Sequence, residues 1–134
     1  MINDHIGELI SNVFKALGHP ARIKILLLLQ DRPLCVSNII EALGMEQSNT
    51  SQHLNVLKNE GLVESRKEGL NVIYRVKSPI VFELIQCTGK FLLQSLEDTK
   101  KQLETGSKSL DAPKNKKISE SYTGKYTATT RTIT

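Results

Sequence analysis

Short polar side chains cluster at the predicted start of one helix, between Gln47 and His53. Asn and Gln can form paired hydrogen bonds with adenine edges, Ser and Thr adapt to several bases, and the first turn of a helix offers free amides to phosphate. A merely solvated helix would normally carry Glu and Lys there. The segment therefore predicts a DNA-reading surface, with candidate contacts at Gln47, Ser48, Asn49, Ser51, Gln52 and His53.

Two residues of this segment have a second interpretation. Thr50 is equally well placed to face the protein interior, and a lone histidine such as His53 is often packed and hydrogen-bonded within a fold. Basic residues follow the segment, and they are candidates for neutralising phosphates or reaching the minor groove. These are Lys58, Arg66, Lys67 and Arg75.

The net charge of +4 does not itself support DNA binding, because its distribution is uneven. Residues 1–104 contain 12 Lys+Arg and 12 Asp+Glu, whereas residues 105–134 contain 6 and 2. The second range is also rich in Gly, Ser, Thr and Asn, so we predict a disordered basic and polar tail there after one folded domain at 1–104. A DNA-binding function must therefore rest on the local placement of residues.

Apolar periodicity predicts the elements that position these residues. A first helix is expected at 4–17, capped by Asn3 or Asp4, and a buried second helix begins at Pro20. A short third helix containing Val36 ends at Gly44. A fourth spans 47–60, and a hairpin of 62–67 and 70–76 turns at Glu68-Gly69. We thus predict a mainly α fold with a small β-hairpin, a winged helix-turn-helix in the order α-α-α-α-β-β-α.

A long last helix is expected from Ser78-Pro79 to Glu104. Its apolar residues form a stripe too wide for one small domain to cover, which predicts a homodimer interface shared with the first helix. The residues are Ile80, Val81, Leu84, Ile85, Cys87, Phe91, Leu92 and Leu96.

Several classes of protein are not expected. No apolar run approaches the roughly 18 residues that span a bilayer, and the first residues do not resemble a signal peptide, so we expect a cytoplasmic protein without membrane contact. An enzyme is not expected either, because we find no glycine-rich phosphate loop, no nucleophile beside a base and no paired carboxylates in an apolar setting. The residues imply no cofactor.

The motifs together resemble the ArsR/SmtB family of bacterial winged-helix repressors. The resemblance covers roughly residues 4 to 100, with matching order and spacing. It is carried by Leu17 to Leu26, Ser51 to Lys58, Gly61 to Val63, Arg66 to Gly69 and Val72 to Val76. It implies a homodimer, joined through the first and last helices, that binds an inverted-repeat operator in double-stranded DNA and leaves it when an inducer binds.

The family's known sensor motifs are incomplete in this chain. Metalloid sensors carry Cys-Val-Cys where this chain has Cys35-Val36-Ser37, and zinc sensors use histidines along the last helix, yet residues 79–104 contain none. Persulfide sensors place cysteines where this chain has Leu27 and, approximately, Leu93. The identity of the inducer therefore stays open between a metal or metalloid, thiol chemistry and a small molecule.

Two sensor hypotheses and one rival function follow. A metal or metalloid ion could bind Cys35 together with Asp4 and His5 of the partner subunit, since zinc and trivalent metalloids need three or four N/S ligands. Alternatively, Cys35 and Cys87 could be oxidised or persulfidated, although a buried Cys87 would act as a small hydrophobic residue. The rival is a winged-helix protein-interaction module that does not read DNA.

Overall fold

The computed structural model describes residues 3–106, beginning with helices α1 (Asp4–Leu17) and α2 (Pro20–Leu28). Asn3 Oδ1 caps α1 by accepting a hydrogen bond from the Ile6 amide at 2.9 Å. His19 Nδ1 accepts a bond from the Ala21 amide at 3.0 Å, and Pro20 occupies the first turn of α2. Both starts agree with the predicted bounds, because each first turn satisfies its free amides as expected.

Helices α3 (Val36–Leu43) and α4 (Gln47–Asn59) form the helix-turn-helix. Gly44 ends α3 with φ +62°, a left-handed conformation that glycine adopts without strain. The core beneath the motif consists of fully buried aliphatic side chains from the second, third and fourth helices: Ile25, Leu26, Ile39, Leu54 and Leu57. This core fixes α4 with one face inward and the other toward solvent.

Helix α2 is less buried than its apolar sequence indicates. Ile25 and Leu26 are completely buried, whereas Ile23 and Leu27 are half-buried and Lys24 is exposed. The expectation of a buried helix therefore holds only for the side that packs on α1, α3 and α4.

The sheet has three antiparallel strands, β1 (Leu34–Cys35), β2 (Val63–Glu68) and β3 (Asn71–Val76), in the order β1-β3-β2. Strand β1 was not predicted, so the element order is α-α-β-α-α-β-β-α. The hairpin turn also lies one residue later than expected: Glu68 pairs with Asn71, which leaves Gly69 and Leu70 as a two-residue loop. Gly69 has φ +61°, as such tight loops require.

Helix α5 (Ile80–Glu104) is the last described element, and Ser78 Oγ accepts a hydrogen bond from the Ile80 amide at its start. The chain divides into two units within this helix, one ending at Phe82 and the other beginning at Glu83. Within residues 3–106, no helix is long and apolar enough to cross a membrane. The predicted tail lies outside the described residues from residue 107 onward.

Candidate nucleic-acid interface

The first two turns of α4 present an uncharged polar surface. Gln47, Ser48, Asn49 and Gln52 are exposed, and Ser51 is half-exposed. The preceding residue, Glu46, occupies the N-cap without a capping hydrogen bond from its side chain. The free amides of the first turn and the positive end of the helix dipole are therefore available to an anion.

Thr50 lies on the opposite side of α4, completely buried. Its Oγ1 donates a hydrogen bond of 2.8 Å to the Glu46 carbonyl, one turn earlier. The inward alternative is therefore the observed one, because the hydroxyl is satisfied by the helix backbone and its methyl group joins the core. With Thr50 facing the core, the residues on the other side of α4 face solvent.

His53 is half-buried, and its ring packs on His19 with centroids 4.4 Å apart and a tilt of 42°. Its Nδ1 lies 3.4 Å from Nη1 of Arg22. Desolvation by burial, and then the charges of His19 and Arg22, lower the pKa of His53. The ring thus occupies the packed position that the sequence allowed, while DNA contact by His53 stays a prediction.

Arg22 reaches the end of α1 from the first turn of α2. Its Nε donates to the Ala16 carbonyl at 2.5 Å, and its Nη2 donates to the Lys15 carbonyl at 3.0 Å. The carbonyls at the end of a helix have no partner within that helix and carry partial negative charge, which suits a guanidinium. Sequence reasoning assigned no role to Arg22, since no local pattern indicates contacts with two other helices.

Two of the four predicted phosphate-binding cations are already paired with carboxylates. Arg75 forms an ion pair with Glu64, its neighbour across the hairpin, and Arg66 Nη2 lies 2.5 Å from Glu68 Oε1. Lys58 and Lys67 are exposed, and neither forms an ion pair within residues 3–106. The hairpin therefore offers less unbalanced positive charge than its basic residues suggest.

The two cysteines differ in their surroundings. Cys35 is half-buried at the N-cap of α3, with Sγ 3.1 Å from Ser37 Oγ. The Ser37 hydroxyl, and then the Asn38 amide, lower the pKa of Cys35 by stabilising the thiolate. Cys87 is exposed in the single chain, and its burial at a dimer interface stays a prediction. Both thiols are free.

The predicted metal ligands are not gathered within one chain. Among the described residues, no group of three or more His, Cys, Asp and Glu side chains could hold a metal ion. Asp4 and His5 are exposed at the start of α1. A site that combines Cys35 with these residues of the partner subunit stays a prediction.

Comparison with known proteins agrees with this arrangement. The family model described as bacterial regulatory protein, arsR family, matches residues 19–65, which include the helix-turn-helix. HTH-type transcriptional regulator Rv0081 of Mycobacterium tuberculosis is 38% identical over 105 residues, covering 78% of this chain and 92% of that protein. The chain belongs to the ArsR family. It is accordingly an HTH-type transcriptional regulator, and its family consists of regulators rather than enzymes.

Solved structures of ArsR-family and related regulators share the fold. The crystal structure of Rv0081 has a TM-score of 0.65, and the matched region covers 72% of this chain and 97% of the Rv0081 chain. HlyU from Vibrio cholerae, which is named a transcriptional activator, has a TM-score of 0.59 at 31% identity and covers 66% of this chain and 97% of its own. A homodimeric winged helix-turn-helix domain from Mycobacterium bovis has a TM-score of 0.58 at 33% identity, covering 73% and 89%.

Proposed function

We propose that the chain acts in the cytoplasm as a homodimeric repressor, with α4 of each protomer reading one half of an inverted-repeat operator. The observation that carries this proposal is the exposed Gln, Ser and Asn surface on the first two turns of α4, beside an N-terminus without a side-chain cap. Such side chains form specific hydrogen bonds with base edges in the major groove. The uncapped amides would bind the adjacent phosphate.

Individual contacts follow from exposure. Gln47, Asn49 and Gln52 are expected to contact bases, with Ser48 and Ser51 adapting to the local sequence. Lys58 and Lys67 are expected to neutralise phosphates, because no carboxylate competes for them within the described chain. Arg66 and Arg75 would reach phosphates only after leaving Glu68 and Glu64. Phosphate contacts set affinity and register, and base contacts set specificity.

Exposed apolar side chains support the dimer. On α1 these are Ile6, Leu9, Ile10 and Phe14, between 41% and 57% exposed. On α5, Ile80, Leu84, Phe91 and Leu92 are between 37% and 65% exposed. Apolar side chains exposed together on a helix face mark an association surface. Two-fold symmetry would place the reading helices about 34 Å apart, one turn of DNA. The homodimeric relative from Mycobacterium bovis supports the same assembly.

Among the inducer classes, thiol chemistry at Cys35 has the clearest support. Its thiolate is stabilised by the Ser37 hydroxyl and the Asn38 amide, and reactivity toward oxidants and soft metals depends on the thiolate. We propose that modification of Cys35 at the start of α3 releases the operator.

The decisive experiment is selection of genomic fragments of the source organism by purified protein, followed by titration of the recovered fragments. We expect one recurring inverted repeat close to a promoter. A dimer that makes six or more phosphate contacts should lose on the order of a thousandfold in affinity between about 50 and 200 mM salt. Recovery of fragments without a common sequence, or no binding at low salt, would contradict DNA reading and favour the protein-interaction module.

The sign of regulation needs a separate measurement. A reporter under the recovered promoter should be silent with the protein present and active when its gene is deleted. Higher reporter activity in the presence of the protein would instead indicate an activator.

A further inference from the structure

Three helices of the first unit meet at the Arg22 side chain. Arg22 belongs to α2, donates two hydrogen bonds to the carbonyls of Lys15 and Ala16 at the end of α1, and faces His53 of α4. We call the set of Arg22, His53 and these two carbonyls the Arg22 junction. It joins a helix of the proposed dimer surface to the reading helix.

We propose that Arg22 and His53 are positioning residues for DNA reading, and that the junction holds α4 in its binding orientation only while His53 is neutral. Acidification would then weaken operator binding. This inference rests on the proposed function of α4.

The contact with Arg22 favours a neutral His53. The guanidinium nitrogen can only donate, so it forms a hydrogen bond with Nδ1 in the tautomer that leaves Nδ1 unprotonated. A proton on Nδ1 would remove the acceptor and place two cations within 3.4 Å of each other. His53 cannot move away without cost, because its ring is half-buried and packs on His19.

Among residues 3–106, no negatively charged group acts on His53. The titratable and charged groups that act on it are His19, which precedes α2, and Arg22 within α2, and both oppose its protonation. Helix α1 contributes only the two carbonyls, which Arg22 occupies. Helix α3 and strand β2 also pack on α4, and within residues 3–106 neither presents a charged group that acts on the ring.

The junction lies close to the predicted base contacts. His53 directly follows Gln52 and lies one helical turn after Asn49, so a change in its position moves both side chains. On α1, Phe14 of the proposed dimer surface immediately precedes Lys15, whose carbonyl Arg22 binds. Arg22 therefore helps to fix the orientation of α4 relative to that surface.

The alternative role of His53, a direct contact with phosphate, predicts the opposite response to pH. A protonated imidazole beside phosphate would add an attractive charge and strengthen binding as the pH falls. The sign of the pH dependence therefore distinguishes a positioning residue from a contact residue.

The test measures operator affinity of the full chain by fluorescence anisotropy between about pH 7.5 and 5.5, at constant ionic strength and with a chelator present. The range covers the ordinary histidine pKa near 6.5. If DNA binding disfavours protonation by about half a pKa unit per protomer, the loss for a dimer approaches about tenfold well below both pKa values, and a part of it should appear within this range. His53→Gln, which cannot titrate, should lose this dependence, whereas His5→Asn, on the first turn of α1, should keep it.

Two further variants examine the neighbours. His19→Asn retains a capping acceptor for α2 but removes one opposing charge, so the midpoint of the affinity loss should move to higher pH. Arg22→Gln should weaken binding at pH 7.5 and reduce the pH dependence. Circular dichroism and sedimentation at each pH should show folded dimers throughout, which separates repositioning from unfolding.

Each outcome has a definite meaning. Binding at pH 7.5 with an unchanged or higher affinity at pH 5.5 would overturn the positioning role while leaving DNA reading intact. The same pH dependence in His53→Gln would also overturn it. Failure to bind the operator at any pH would instead overturn the proposed function.

Discussion

Glu64 and Arg75 face each other across the hairpin and form an ion pair, whereas Lys67 on the same hairpin is exposed and has no such partner among residues 3–106. An arginine held by a carboxylate must give up that partner before it can neutralise a phosphate. Arg66 is paired with Glu68 in the same way. Lys67 is therefore immediately available to DNA, whereas Arg66 and Arg75 are not.

Replacing Lys67 should reduce the salt dependence of operator binding. Lys67→Ala is expected to lower the slope of log affinity against log salt by about 0.9 for each phosphate that is no longer neutralised, or about 2 for a dimer. Arg75→Ala should lower it less. Glu64→Gln should have the opposite effect, since it releases Arg75. Equal slopes for Lys67→Ala and the unmodified protein would remove Lys67 from the interface.

Replacing Gln52 should change sequence preference as well as affinity. Gln52→Ala is expected to cost about 1–3 kcal/mol per half-site and to relax the preference at one base pair. Asn59→Ala is a matched control, because Asn59 is exposed at the other end of α4. The measurement is competition between the operator and variants with single base changes. A uniform loss across all variants would assign Gln52 to the backbone.

A charge on the α1 apolar surface should separate the protomers. Phe14 is 57% exposed in the single chain, and Phe14→Glu is expected to shift the protein to monomers because a carboxylate cannot be buried there without a partner. Leu70→Asn serves as the control, since Leu70 is completely exposed at the hairpin tip and Asn suits its turn. Sedimentation velocity measures both. A Phe14→Glu variant that remains dimeric would place the interface elsewhere.

Removing the Thr50 hydroxyl should destabilise the fold. Thr50→Val keeps the shape of the side chain but loses the bond to the Glu46 carbonyl, and we expect a loss of about 1 kcal/mol in the free energy of unfolding in urea. Thr105 makes a similar bond to the Lys101 carbonyl at an exposed site just after α5. Thr105→Val should cost little, because water can replace that bond. Similar losses in Thr50→Val and Thr105→Val would argue against a special role for burial at Thr50.

The Ser37 hydroxyl should control the reactivity of Cys35. Because this hydroxyl lowers the pKa of Cys35, Ser37→Ala should move the midpoint of its alkylation to higher pH and slow the reaction near neutrality. Iodoacetamide rates in a Cys87→Ser background isolate the one thiol. If the midpoint did not move, Ser37 would not be the group that stabilises the thiolate.

Most of the helices could be predicted from the sequence, because the residues that begin and end a helix lie within or beside it. Asn3, Pro20 and Gly44 each mark a helix end through their own backbone or side-chain chemistry, and the observed bounds agree. Strand β1 was missed because two residues are too short to show a period. It is a strand only because β3, from a distant part of the sequence, pairs with it.

The same distinction applies to the candidate site. The outward surface of α4 could be predicted from residue types, and the inward position of Thr50 was one of two alternatives. The contact between Arg22 and His53 could not be predicted, since it joins different helices through side-chain ends. Likewise, the ion pair of Glu64 with Arg75 depends on the hairpin register, which the sequence placed one residue away.

Strand β1 also affects how the protein folds. Leu34 pairs with Tyr74 and Cys35 with Ile73, so this part of the sheet closes a long loop that contains the whole helix-turn-helix. Long loops cost entropy to close, and contacts between distant residues form more slowly than those within helices and tight hairpins. We therefore expect the helices and the hairpin to form early and the β1–β3 pairing to complete the fold, so that substitutions at Leu34 mainly accelerate unfolding.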